Sequence, residues 1–306
     1  MSRGYWPLLL FLAAAWGASY LFIKLAVEDL EPAPLMAARS LIAAAVLIPY
    51  VVVSLGRRPA LDGLRGSWQD AVVLGAINAA IPFWLVAWGE THVDSTVAGI
   101  AQATVPIFSF LFGLQFLPHE RIAPVRWLGV ALGTAGVTLL AGFHPSGGWW
   151  AVAGTLAVVL ASASYASGAI YGQLRVRSVP GPVLAAGSML AAGLMLLPLS
   201  LFQLPASAPG WRAITGLLLL ALVGTALAQL VLYRLLRLYG ARRTSLVTYL
   251  MPAFALAYGA LLLDEPITAA AVGGLALILL GVALGSGAVS LRRRRADRAS
   301  AQAAGR

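Results

Sequence analysis

The chain has 306 residues, of which 60% are hydrophobic and only 10% charged. A soluble domain carries about 25% charged residues, so this composition excludes an ordinary water-soluble fold and points to an integral membrane protein. The net charge of +10 sits on arginines in short loops between apolar runs, which argues against nucleic acid, and the absence of cysteine excludes disulfides and thiolate metal sites.

A crossing helix needs about 20 mostly apolar residues. Ten such stretches follow one another at 5–26, 34–55, 70–89, 95–117, 124–142, 149–173, 182–202, 213–236, 244–263 and 268–290. A barrel would instead show alternating strands of about ten residues, so the expected fold is all-α with ten transmembrane helices.

In the first stretch Trp16, Tyr20 and Lys24 follow an i, i+4, i+8 stripe on one face. Lys24 lies at the end of the span, where snorkelling is the simpler reading. The second carries Arg39 about a turn and a half inside its start near Pro34. Such a charge costs about 2.5–3.5 kcal/mol at a span centre and marks a functional candidate by default. Two readings of Arg39 stand side by side. It either snorkels or pairs with Glu28, Asp29 or Glu31, or it is a fixed cation that holds a solute carboxylate.

The third stretch places Asn78 and Pro82 on one face, with Trp84 deeper than Trp88. Ser95, Gly99, Gln102, Pro106 and Ser109 share a face of the fourth, and Gly129, Gly133 and Gly136 are spaced for close helix contact in the fifth. Thr225, Gln229 and Tyr233 stripe the eighth, and Ser245, Thr248, Tyr249 and Pro252 the ninth. Amides facing lipid would go unsatisfied, so these faces turn inward. Helix-to-helix hydrogen bonding explains any one of them as well as a cavity does; together they favour a polar central chamber. The tail 291–306 is short and basic and reads as disordered and cytoplasmic.

The second half of the chain repeats the first. Pro34-Leu-Met-Ala-Ala-Arg-Ser-Leu-Ile-Ala-Ala44 aligns with Pro182-Val-Leu-Ala-Ala-Gly-Ser-Met-Leu-Ala-Ala192, so Gly187 stands where the first copy has Arg39. Ala18-Ser19-Tyr20 recurs as Ala163-Ser164-Tyr165, and Glu120, Gly129 and Gly136-Val137 recur as Glu265, Gly274 and Gly281-Val282. Offsets of 145 and 148 residues account for these matches. Residues 5–26, which follow Arg3 in the manner of a signal peptide, have their own copy at 149–173 and so belong to the fold.

With the N-terminus in the cytoplasm, 18 of the 21 basic residues fall in inside loops and tails, leaving Lys24, Arg39 and Arg212. Glu28, Asp29, Glu31, Glu90, Asp94, Asp264 and Glu265 gather outside. This is a positive-inside pattern with both termini in the cytoplasm. Five spans per half is odd, so the second copy is expected to run in the opposite sense, as an inverted repeat.

Trp16-Gly17-Ala18-Ser19 with Lys24, Ala37-Ala38-Arg39, and Pro106 followed by Glu120-Arg121-Ile122 together resemble the first half of an EamA-type member of the drug/metabolite transporter superfamily. Tyr249-Leu250-Met251-Pro252 and Asp264-Glu265-Pro266 continue the resemblance in the second half, which therefore covers residues 5 to about 290. It implies two inverted five-helix repeats, at 4–142 and 149–290, around a central substrate cavity in the plasma membrane. It also implies transport of a small organic metabolite such as an amino acid, in the sense of export. The substrate-binding residues expected on both grounds are Arg39, Trp16, Tyr20, Asn78, Gln102, Gln229, Tyr233 and Tyr249. Glu120 and Glu265 read as helix-start and interface residues, with proton carriage as the sharper alternative.

No Asp or Glu lies deep within a proposed span. Coupling therefore falls to edge residues such as Asp70, Glu90 or Glu120, or transport is facilitated diffusion, the reading preferred here. No Gly-x-x-x-x-Gly-Lys-Ser/Thr loop is present to bind ATP. A membrane-embedded lipid-modifying enzyme is the competing class, but it would call for acids or histidines clustered at one face. His92, His119 and His144 are scattered, so no catalytic site, metal or cofactor is expected. The expected partners are a small solute and the lipid bilayer, and the sequence carries no signal for an oligomeric state.

Overall fold

The computed structural model describes residues 4–116, 125–141, 148–176, 179–205 and 207–285. Among these residues every regular element is helical. Seven helices are long and apolar enough to cross a membrane: α1 (Tyr5–Ala26), α2 (Pro32–Leu55), α4 (Trp68–Glu90), α5 (Ser95–Phe116), α7 (Gly148–Arg175), α8 (Gly181–Ser200) and α9 (Trp211–Tyr239). Three shorter apolar helices accompany them: α6 (Val125–Ala141), α10 (Val247–Leu262) and α11 (Ala269–Gly285). A polar ten-residue helix, α3 (Arg57–Gly66), links α2 to α4 and buries only Ala60.

The helix ends follow local chemistry. Pro32, in the first turn of α2, needs no N–H partner, so the helix starts two residues before the expected Pro34. Gly240, at φ 76°, ends α9 and leads into the single turn Ala241–Thr244, so α10 begins at Val247 rather than 244. Two long helices are locally underwound at related points. A π-helical turn interrupts α4 at Ala76–Ala80, and another interrupts α9 at Leu222–Leu227. In α5 the turn Gln102–Thr104 tightens to 3₁₀ just before Pro106.

The helices pair in a regular way. α1 packs on α9 and α10, while α7 packs on α4 and α5; α2 lies against α8 and α9, and α8 against α2 and α4. α6 lies on α11. That last pair approaches closely because glycines face each other. A Cβ at Gly281 would stand 2.5 Å from the Gly129 carbonyl oxygen and 2.7 Å from the Gly133 nitrogen, closer than any side chain can sit. The Glu120 loop and the tail 291–306 lie outside the described residues.

Candidate functional site

Arg39 is 6% exposed and is held by side chains from three helices. Its guanidinium carbon lies 3.7 Å from the centroid of the Phe83 ring on α4. Its Nε donates to Thr225 Oγ1 on α9 at 2.8 Å, and Nη1 faces Met36 Sδ on its own helix at 3.6 Å. Tyr20 on α1, Tyr165 on α7 and Glu90 at the end of α4 are its titratable neighbours. A desolvated cation–π contact contributes about 2 kcal/mol, and a hydrogen bond from a charged donor about 1.5–3 kcal/mol. Together, at about 3.5–5 kcal/mol, they are enough to offset the roughly 2.5–3.5 kcal/mol that an arginine costs within a span. The charge is thus tolerated without a carboxylate, and none pairs with it among the described residues.

Pairing of Arg39 with Glu28, Asp29 or Glu31, one branch of the first reading, is not found among the described residues. Glu28 instead faces Arg212 at 3.7 Å, and Asp29 accepts the Gly210 N–H at 2.7 Å. Arg39 lies too far inside its helix to reach them, and the Phe83 ring offers it a nearer face.

Several expected residues meet along one face of α7. Gln102 Nε2 donates to Ser162 Oγ at 3.1 Å. Tyr165 stands 6.4 Å, ring to ring, from Phe83, and Asn78 lies against Gly168. Residues 162 to 168 cover about 9 Å of helix, so Gln102, Arg39 and Asn78 are stacked at successive turns. Gln102 owes its place to Pro106, which has no N–H to offer the carbonyl four residues back. The Val105 N–H donates to that Gln102 carbonyl instead, in the 3₁₀ turn, and the Ser162 hydroxyl lies 3.4 Å from the same oxygen. Asn78 and Thr225 both belong to π turns, where the altered register turns an extra side chain inward.

Gln229 follows Thr225 by one turn, and its Oε1 is buried without a partner, as are Gln102 Oε1 and Trp84 Nε1. Tyr20 is buried, with its hydroxyl 4.0 Å from Met251 Sδ on α10. Trp16 is half-buried one turn before it. Tyr233 and Tyr249 stand apart from this group. The Tyr233 ring packs on Gly181 at the start of α8, and Tyr249 Oη faces the Val282 carbonyl on α11 at 3.5 Å.

The residues that sequence reasoning did not assign to the site are Phe83, Tyr165, Ser162 and Thr225's bond to Arg39. Tyr165 carried a signal, being the repeat counterpart of Tyr20. Phe83 carried none, because one phenylalanine in an apolar run is indistinguishable from core.

At the Lys24 end of the bundle a cavity of about 300 Å³ is lined by Lys24, Glu28, Asp94, Arg212, Asp264 and Glu265. Lys24 Nζ donates to the carbonyls of Glu90 and Val93, both at 2.8 Å, and so caps the C-terminus of α4. Glu265 accepts the N–H groups of Ser95 and Thr96 at 2.8 and 2.9 Å, closing the N-terminus of α5. Its role at a helix start was expected, but the helix belongs to the other half of the chain. Burial pushes the Asp94 carboxyl above its ordinary value; Glu265 acts in the same direction and Lys24 against it.

Glu90 departs from expectation. Placed by sequence in a loop, it is the last residue of α4 and is 0% exposed. The helix continues past Gly89 because that glycine lies flat against Gly154 of α7, drawing the end of α4 into the bundle.

A model of the EamA-like transporter family matches residues 4–142 and 152–287. The chain is 28% identical to the uncharacterized inner membrane transporter YedA of Escherichia coli K12, covering 88% of this chain and 86% of that one. It is 28% identical to the uncharacterized transporter YvbV of Bacillus subtilis, with 90% of each chain covered. A probable amino-acid metabolite efflux pump of Salmonella typhimurium is 26% identical, with 92% of this chain and 94% of that one covered. A crystal structure of another protein overlays 96% of this chain and 99% of its own, with a TM-score of 0.66 and 21% identity, a likeness of fold.

Proposed function

From the premise that this chain belongs to the EamA-like transporter family, and is a membrane transporter of that kind, we propose that it exports a small organic metabolite bearing a carboxylate, such as an amino acid. The observation that carries this reading is Arg39: a buried guanidinium, seated on an aromatic ring and one hydroxyl, with no acid paired to it among the described residues. Arginine has five donors in a planar fork. Its two hydrogen bonds here use Nε and one Nη1 position. The remaining edge matches a carboxylate in two parallel bonds. Gln102 and Gln229, each with an unpartnered carbonyl oxygen, supply acceptors for an ammonium or hydroxyl on the same solute.

Movement follows from the repeat. The ten helical segments form two inverted five-helix bundles, 4–142 and 149–290, with both termini in the cytoplasm. The pairing supports this: exchanging α1 with α7, α2 with α8, α4 with α9 and α5 with α10 maps the main helix pairs onto one another, whereas the contact of α5 with α11 has no such counterpart. Solute then passes as the halves rock about the α2–α8 and α6–α11 contacts, which map onto themselves. On the outside, the Glu265, Asp29–Gly210 and Glu28–Arg212 ties join the halves. On the inside, Tyr5 donates to the Arg243 carbonyl at 3.0 Å and Tyr171 to Asp70 at 2.7 Å. Opening either end requires its own set to part. The name of the Salmonella relative supports an amino acid as cargo and efflux as the direction.

The test is flux of a labelled L-amino-acid mixture from proteoliposomes. Arg39→Ala should lower carboxylate flux by at least tenfold while the protein stays folded. Arg39→Lys should lower it too, because a point charge cannot reproduce the fork. Wild-type flux that persists unchanged in Arg39→Ala overturns the site and leaves the transporter intact.

A further inference from the structure

We propose that Glu90 is a proton-binding site, occupied while the outer end of the protein is closed and emptied as that end opens. The inference rests on the outside-facing placement of the Lys24 end given above, and on three observations about this carboxyl.

First, Glu90 is wholly buried, and neither carboxylate oxygen has a hydrogen-bond partner. An ionised carboxylate accepts several hydrogen bonds and gains most from charged donors. Here it is offered none, although a lysine is adjacent. The form that suits such surroundings carries a proton.

Second, the neighbouring cation is committed elsewhere. Lys24 Nζ gives two bonds of 2.8 Å to the main-chain carbonyls of Glu90 and Val93, not to the Glu90 side chain. Two states of the corner are therefore available to the same atoms. In one, Glu90 is neutral and Lys24 holds the end of α4. In the other, Glu90 has lost its proton to water, and its negative charge draws Lys24 from the carbonyls.

Third, the corner adjoins the outer cavity. Lys24 and Glu265, whose charges lie nearest to Glu90 together with Arg39, include two of the groups that line the 300 Å³ space. The groups facing Glu90 are Lys24 and Tyr20 from α1, Arg39 from α2 and Glu265 from the segment before α11. Asp94 faces Lys24 and Glu265 in turn. His92 points away, its Nδ1 at 3.0 Å from the Trp88 carbonyl and its ring over Trp150.

The chemistry is a single proton transfer. On closing, a proton from the outer water forms an O–H bond with one Glu90 oxygen; on opening, that bond breaks and the proton returns to water. No electron moves. Arg39 lies within the field of the same carboxyl, so a solute carboxylate on Arg39 and an ionised Glu90 would oppose each other.

The absence of cysteine makes the measurement direct. Cysteines placed at Thr91 and Ile267, exposed on the two sides of this end, carry spin labels in liposomes. Their separation is followed from about pH 4 to 9, the range over which protein carboxyls titrate. In the wild-type background the distance should widen with rising pH in one titration. Glu90→Gln, which keeps the shape and cannot ionise, should hold the short distance throughout, and Glu90→Asp should shift the midpoint. Asp94→Asn should retain the titration. A wild-type distance that ignores pH overturns the proposal. So does a titration that survives Glu90→Gln or vanishes in Asp94→Asn. Because no solute is needed, failure here is separate from failure of the Arg39 reading.

Discussion

Arg39 and Asp94 show how far single residues depend on their neighbours. An arginine in a span is visible in any hydropathy reading, and its function is visible only from what surrounds it. The repeat adds one fact: its counterpart is Gly187, so the fold accommodates a small residue at that position. Asp94 precedes α5 without making a side-chain cap bond, because Glu265 takes the N–H groups of Ser95 and Thr96. Its carboxyl is pushed above the ordinary 3.8 chiefly by burial. The folded state therefore binds the proton more tightly than the unfolded one. Stability falls as pH rises from 3.8 through the raised value, since the charge then appears in surroundings that disfavour it. Asp94→Asn should raise the thermal midpoint at pH 7 and lose that advantage as pH falls toward 3.8. A thermal melt of both proteins across pH checks this; an advantage that persists in acid would point to another cause. Asp94 is partly exposed, so solvent screening keeps the gain small. Glu90 was misplaced in the sequence reading for a simple reason. A charged residue after a glycine at the end of an apolar run reads as loop, and only the Gly89–Gly154 approach pulls it inside.

At the scale of elements, spacing predicted the helices well and their irregularities poorly. Apolar length located the seven helices long enough to cross a membrane to within a few residues, and the three shorter apolar helices fall where further spans were expected, because burying backbone polar groups in lipid leaves little choice but a helix. The π turns at Ala76–Ala80 and Leu222–Leu227 were not legible. A one-residue insertion into the helical register has no composition of its own. Yet they begin 146 residues apart, between the two repeat offsets of 145 and 148. They also face the repeated triplet: Ser164 donates to the Ile77 carbonyl at 2.6 Å, and Ser19 lies against Gly224. The glycine stripe of α6 was legible, and its partner was not named in advance. Since a Cβ at Gly281 would meet the Gly129 oxygen and the Gly133 nitrogen, both of them backbone, neither can move aside cheaply. Gly281→Val should cost about 1–3 kcal/mol, in the manner of an overpacked core. Ala276→Val, on the exposed face of the same helix, should be nearly neutral. Equal melting points for the two variants would refute the close packing.

For the whole molecule, charge bias and internal repetition argue from independent properties toward one topology. Hydropathy says how many segments can cross; the placement of arginine says which loops stay inside; the repeat says that both halves follow one plan. An odd number of spans per half, as proposed above, would set the halves in opposite orientations. The main contacts of the two halves follow the same order, α1 with α9 and α10 as α7 with α4 and α5. What no sequence property conveyed is the set of ties at the two ends, because each links residues more than a hundred positions apart: Glu265 with Ser95, Asp29 with Gly210, Tyr5 with Arg243 and Tyr171 with Asp70. The topology is open to a direct test by fusing reporters after residues 29, 93, 146, 207 and 264. All five should report the outside, and fusions in α3 and after residue 240 the cytoplasm. The fusion after 146 decides the most. It joins the two halves, and a parallel repeat with an even number of spans in each half would place it inside. A cytoplasmic reading there would remove the inverted relation. The rocking motion, and the assignment of the Lys24 corner to the outer face, would fall with it.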